Sequence, residues 1–249
     1  MAYRTDIVYL YDGSFAGLLC CVFESFYEKE MPFGIFSYDD ERETLFSVKE
    51  IFTNEEYAGR VEASIGEKIC AEALHLVRMC YLSRMEGREL AVLNFLRLGY
   101  KVGAGVVDML SDEDVRIITK ATNNVAGEGH KYKGLLRFSE YNGALIAIIE
   151  PKNFILPIIA PHFCDRFPSE NFLIYDKTHK HAFVYQDGNK SLIQLDELKL
   201  PKASEEEKMY RALWKHFYDT IAIEGRKNPK LRMGHMPKRY WPQLTEFAD

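Results

Sequence analysis

Leu135-Leu-Arg-Phe-Ser-Glu-Tyr-Asn-Gly-Ala-Leu-Ile-Ala-Ile-Ile-Glu150 is the stretch where the sequence changes period. Its arms, Leu135–Glu140 and Ala144–Glu150, are strand-like and meet at Tyr141-Asn142-Gly143. An Asn-Gly step between two such runs is a strong hairpin signal, because both residues accept positive φ. A second hairpin is expected from Phe172–Tyr175 and Ala182–Gln186, with Asp187-Gly188 as the next turn. Between the hairpins a short helix spans about Phe154–Asp165, interrupted by Pro157 and Pro161. Pro201–Lys208 is a polar connector, and Ser204 with Glu207 forms a capping box for a helix. That helix carries Tyr210, Leu213, Trp214, Phe217 and Ile221 on its apolar side. Beyond Gly225, Pro, Gly and basic residues dominate, which predicts an extended basic tail.

Upstream the pattern is mainly helical. Ile7–Tyr11 is β-branched and aromatic, Asp12-Gly13 punctuates it, and Ser14 caps a helix beginning near Phe15. Leu18, Leu19, Val22, Phe23 and Phe26 give that helix an apolar face. Short β-like runs follow at Phe33–Ser37 and Thr44–Phe52. From Glu55 to about Gly127 the spacing is helical, with Leu74, Val77, Met79, Tyr81 and Leu82 in one helix and Leu90, Leu93, Leu96, Leu98 and Tyr100 in the next. Ser111 and Asp114 open a third, through Val115, Ile118 and Thr122. The fold class is therefore α+β, not an alternating parallel-sheet pattern. It combines a helical N-terminal half, begun by a strand-turn-helix, with a C-terminal half of antiparallel hairpins, a packed helix and the tail. The expected division is 1–128 and 129–249, or one continuous domain.

At 249 residues, 47% hydrophobic and 28% charged, the chain is neither disordered nor fibrous. Its apolar runs, such as Ile7–Tyr11, Ala144–Ile149 and Phe154–Pro161, fall short of the ~20 residues of a membrane span. No signal peptide is evident, so a cytoplasmic protein with no membrane partner is expected. Cys20, Cys21, Cys70, Cys80 and Cys164 include no C-x-x-C, which argues for reduced thiols over a zinc or iron–sulfur site. The net charge of −5 divides unevenly: residues 1–125 carry −8 and residues 126–249 carry +3. An acidic total thus conceals a basic half able to meet a polyanion.

Chemistry-bearing residues concentrate in that half. His130, Lys131, Lys133, Arg137 and Glu140 fall across a helix-to-strand transition. Strand alternation sets Leu135, Arg137 and Ser139 on one face and Leu136, Phe138 and Glu140 on the other. Arg137 beside Lys131 and Lys133 can hold a phosphate; the plainer alternative is a basic turn with a sheet-edge ion pair. His162 and Arg166 share a helical face. Asp176 and His179 suit a turn-stabilising hydrogen bond, or, with Glu150 and His162, a general base or metal ligands; no spacing fixes a metal, and none is expected. Arg226–Tyr240 holds Arg226, Lys227, Lys230, Arg232, Lys238 and Arg239, plus His235 and no acid, interleaved with Pro229, Met233 and Tyr240 and followed by Trp241. That is the composition of a strand-tracking nucleic-acid surface, or of a strap with packed aromatics and solvated cations. Gly103-Ala-Gly105 and Gly127-Glu-Gly129 fail the dinucleotide fingerprint. Asp12-Gly13-Ser14 can offer amides to an anion or simply cap its helix.

Several blocks carry a resemblance along essentially the whole chain: Tyr11-Asp-Gly-Ser-Phe-x-Gly-Leu-Leu19, Lys131-Tyr-Lys-Gly-Leu-Leu-Arg-Phe138, Ile149-Glu-Pro-Lys152, Ala160-Pro-His-Phe163 with Arg166-Phe-Pro168, Ile174-Tyr-Asp176 with His179, and Met236-Pro-Lys-Arg-Tyr-Trp241. Together they resemble a bacterial family of DNA-metabolism or DNA-repair proteins of unknown function. Its genes typically lie beside one for a radical-SAM protein, and some members carry a fused uracil-DNA glycosylase domain. This chain has no length for that fusion and no radical-SAM cysteine motif, so the resemblance implies a separate radical-SAM partner, with no cofactor assigned to this chain. No catalytic residue transfers. From the residues themselves, Lys131, Lys133, Arg137, Arg166, Arg232, Lys238, Arg239 and Tyr240 are expected to bind nucleic acid, DNA before RNA. His162, Glu150, Asp176 and His130 are the acid–base candidates if the chain is catalytic. A non-enzymatic adaptor for the partner, or an enzyme for a phosphorylated small molecule, are the alternatives.

Overall fold

A computed structural model describes residues 3–40, 44–200, 204–221, 223, 225 and 228–247. Arg226 and Lys227 of the basic tail, and 201–203 of the connector, lie outside the described residues. The chain divides into two compact units, Met1–Val125 and Ala126–Asp249.

In the first unit β1 (Ile7–Tyr11) lies between β2 (Gly34–Ser37) and β3 (Ser47–Glu50), parallel to both. Ile7, Val8, Tyr9 and Tyr11 are buried, as a central parallel strand requires. Asp12 accepts hydrogen bonds from the Ser14 amide and hydroxyl and from Thr53 Oγ1, and Ser14 Oγ accepts from the Gly17 amide, starting α1 (Phe15–Tyr27). A Cβ on Gly17 would clash with Asp12 Oδ1, so the cap needs glycine there. Helices α2 (Glu55–Lys68), α3 (Ala71–Tyr81), α4 (Arg88–Val102) and the first half of α5 (Glu113–Leu135) complete the unit. Leu18, Ile65, Val77, Phe95, Leu96 and Ile118 belong to its core. Asp112, rather than Ser111, caps α5, accepting from the amides of Asp114 and Val115. One helical stretch, Arg88–Asp108, reaches the length and apolar content of a membrane span, which no contiguous apolar run announced. Its Val92, Leu93, Phe95 and Leu96 are buried in the core.

The second unit contains the rest of α5, a sheet of β4 (Ser139–Tyr141), β5 (Ala144–Ile149), β6 (Phe172–Asp176), β7 (His181–Gln186) and β8 (Asn189–Gln194) in that order, and α6 (Leu156–Arg166), α7 (Glu205–Thr220) and α8 (Pro229–His235). The fold is α+β, with the helices and C-terminal sheet expected. Asn142 and Gly143 (φ 51° and 81°) and Asp187 and Gly188 (φ 50° and 81°) have the paired positive φ of tight hairpin turns.

Four expectations are corrected. Leu135 is still helical and β4 begins only at Ser139, because Tyr132 and Leu136, four apart, bury together and prolong α5. The Leu135/Arg137/Ser139 alternation therefore applies to no strand. β5 and β6 are parallel, joined by α6, so the sheet is mixed and not purely hairpin-built. Pro157 sits in the first turn of α6, where no amide donor is needed, and the helix runs on past Pro161. The tail is not extended: Asn228 accepts from the Leu231 amide, Pro229 sets the first turn of α8, and Lys238–Gln243 forms a 3-10 turn.

Candidate functional site

Strand register decides which side chains share a face. Ser139 opposes Ile146, and Ile148 opposes Tyr175, so Ser139, Tyr141, Ile146, Ile148, Glu150, Tyr175 and Lys177 lie on one face. Leu145, Ala147, Ile149, Phe172, Ile174 and Asp176 lie on the other, where Phe138 packs edge-on against Phe163, Phe167 and Phe172. The first face opens into a cleft of about 860 Å³ bordered by Arg137, Arg211, Lys215 and the Pro242–Thr245 segment.

Helix α7 meets the sheet with polar residues. Glu207 accepts from the Glu140 amide at 3.2 Å and from Arg211 Nε at 2.7 Å, and Arg211 also donates to Ser139 Oγ at 2.6 Å. Burial opposes ionisation of Glu207, but Arg211 and the amide outweigh it and hold the carboxyl below its usual range. The hydrogen bond to Glu207 raises Arg211 in turn. Tyr210, Leu213, Trp214, Phe217 and Ile221 nonetheless stay exposed, against the expectation of a packed apolar side.

Beside this contact runs a second groove of about 510 Å³. Lys133, Arg137, Arg166 and Arg211 line it, Arg211 paired with Glu207 and Arg137 with Glu246. Phe138, Phe163, Phe167, Tyr210 and Trp214 supply aromatic surface. Glu246 organises it: its buried carboxylate accepts from Arg137 at 2.9 Å and from the Trp214 indole N–H at 3.0 Å. Burial again opposes ionisation, and the backbone, Trp214 and Arg137 donors prevail to lower the Glu246 carboxyl. Lys133 and Arg166 have no ion pair among the described residues, so their charge remains directed to solvent.

The expected nucleic-acid contacts thus separate. Lys133, Arg137 and Arg166 line one groove. Arg239 instead pairs with buried Glu128 at 2.9 Å and stacks on Tyr240, which is buried edge-on against Tyr132. Glu128 also accepts from the Lys152 amide and from the amide and side chain of Asn153. Arg232 lies over Trp241 and Phe247, and Lys238 over Trp241. Lys131, Arg232, Lys238, Arg239 and Tyr240 line neither depression.

The acid–base candidates do not form one constellation. Glu150 is in the cleft, paired with Lys177 at 3.0 Å. Asp176 is fully buried on the opposite face, accepting from the Thr178 and His179 amides and from His179 Nδ1 at 2.7 Å, the turn-stabilising role. His162 stands edge-on to Phe163 with Nε2 buried and unbonded, and His130 is exposed on α5; neither lines the cleft or the groove. Among the described residues no group of three or more His, Cys, Asp or Glu is placed to hold a metal. Arg211 and Lys215 escaped sequence reasoning because their helix was oriented by its apolar side. Their (i, i+4) spacing, following Glu207 at the same interval, was the available signal.

An α+β unit with a basic, aromatic groove beside a mixed sheet is the class this architecture defines. The chain belongs to the family described as Domain of unknown function (DUF4130), whose model matches residues 86–246 and so includes every groove residue named above. No curated protein and no solved structure matches the chain.

Proposed function

We propose that this chain is a nucleic-acid-binding protein of DNA metabolism or repair that grips the phosphate backbone in the groove of its second unit. The observation that carries this is the convergence of Lys133, Arg137, Arg166 and Arg211 on one aromatic-lined depression in an otherwise acidic chain. Arg137 and Arg211 are held in position by carboxylates, while Lys133 and Arg166 offer uncommitted charge for phosphate oxygens. The radical-SAM partner implied by the sequence resemblance would supply the redox chemistry. Separation of Glu150, Asp176, His162 and His130 favours the adaptor form, in which this chain presents the strand and does not itself turn it over.

The test is anisotropy of a fluorescein-labelled oligonucleotide titrated with the full chain, wild type and Lys133→Ala/Arg166→Ala. Binding that weakens with salt and with the double substitution supports the proposal. Absent or salt-independent binding overturns it.

A further inference from the structure

Resting on that reading, we infer that the groove takes single-stranded nucleic acid, with unstacked bases laid on Tyr210 and Trp214. Phosphate contacts account for the cations but not for the rings. Tyr210 is 64% exposed and Trp214 42% exposed, and both line the basic groove. They are four residues apart on α7, so they stand on one helical face about 6 Å apart along the axis. Phe167, at the end of α6, lines the same groove next to Arg166, whose guanidinium lies 5.6 Å from its ring centre.

The Trp214 platform is also fixed before any ligand arrives. Glu246 holds the indole N–H, and the Arg137 guanidinium, anchored by the same carboxylate, lies 5.9 Å from the ring centre. A duplex keeps its base faces stacked inside and offers such rings nothing. A single strand exposes every base face to them while leaving its phosphates for Lys133 and Arg166. Charge complementarity thus selects a polyanion, and the open rings select one with free bases.

The experiment compares the full chain on labelled oligodeoxyuridylate, oligouridylate and a duplex of the same length, for wild type, Tyr210→Ala and Trp214→Phe. Among the described residues Tyr210 has no hydrogen-bond partner, and it is exposed rather than in the core, so its truncation leaves the fold intact. Preference for either single strand over duplex is expected, with quenching of tryptophan emission on binding. Tyr210→Ala should weaken single-strand binding on the order of 10-fold and leave duplex binding unchanged. The better-bound single strand identifies the sugar. Equal affinity for duplex, or an unaltered Tyr210→Ala, overturns the single-strand inference while nucleic-acid binding stands. Failure of every probe to bind removes the underlying function as well.

Discussion

Replacing Arg239 with Ala separates a cation that holds the fold together from one that meets phosphate. The Glu128 side chain is 3% exposed and that of Arg239 is 36% exposed. Breaking a fully buried ion pair costs about 3–5 kcal/mol, whereas a surface pair is worth about 0.2–1 kcal/mol. One partner is buried and the other one-third open, so the pair contributes about 1–2 kcal/mol on that scale. Loss of the guanidinium over Tyr240 adds about 0.5–1 kcal/mol, for a total near 2 kcal/mol. At a urea slope of about 2 kcal/mol/M the unfolding midpoint should fall by about 1 M. Tryptophan emission is a selective probe, because the chain's 2 Trp, Trp214 and Trp241, both lie in the second unit. Glu128→Ala should cost more, since it removes the charged acceptor of the Lys152 amide and of the Asn153 amide and side chain as well as the partner of Arg239, each hydrogen bond to a charged group being worth about 1.5–3 kcal/mol. An Arg239→Ala protein that unfolds like wild type but no longer binds nucleic acid would refute this structural role of the Arg239–Glu128 pair.

Three further outcomes follow from particular contacts. The carboxyls of Glu246 and Glu207 are lowered in the fold, so the stability they contribute is present above the unfolded Glu value, near 4.3, and is lost as pH falls through their folded values. Acid unfolding followed by tryptophan emission should therefore be less steep in Glu246→Gln than in wild type; identical pH profiles would contradict the pairing. Gly17→Ala forces a Cβ against Asp12 and Thr53 and should destabilise the first unit by about 1–3 kcal/mol, read as a lower melting temperature by circular dichroism. Burial pushes the Cys80 thiol up to about 12 and raises Cys21 well above its usual value, so a thiol reagent at pH 8 should modify partly exposed Cys70 first; rapid modification of Cys80 in the folded chain would show the core to be open.

Local signals carried far in this sequence. Asn142-Gly143 and Asp187-Gly188 form the turns their composition demands, and Ser14 and Ser204 cap the helices they precede. What stayed hidden depended on pairing at a distance. Nothing in Ala144–Ile149 reveals that its partner Phe172–Asp176 runs parallel, because the α6 crossover resembles any short helix interrupted by prolines. The tail composition suggested extension, but Asn228 and Pro229 make a local cap that needs only one turn to act. Helix α7 misled through its amphipathicity: Glu207 finds an amide at the edge of β4, Arg211 finds Ser139, and the apolar stripe stays exposed. In the site, Lys133, Arg137 and Arg166 were legible as cations, but not as a set that shares a groove without Lys131. The commitment of Arg239 to Glu128 was not, since an ion pair across 111 residues leaves no trace in spacing.

If a few groove cations meet phosphate, the salt dependence of oligonucleotide binding counts them. The slope of log K against log[salt] for wild type should shrink by about 0.7–0.9 in Arg166→Ala and by about as much again in Lys133→Ala/Arg166→Ala. In a Lys131→Ala control, whose cation lies outside the groove, it should not change. Equal slopes in wild type and the double variant would contradict the account.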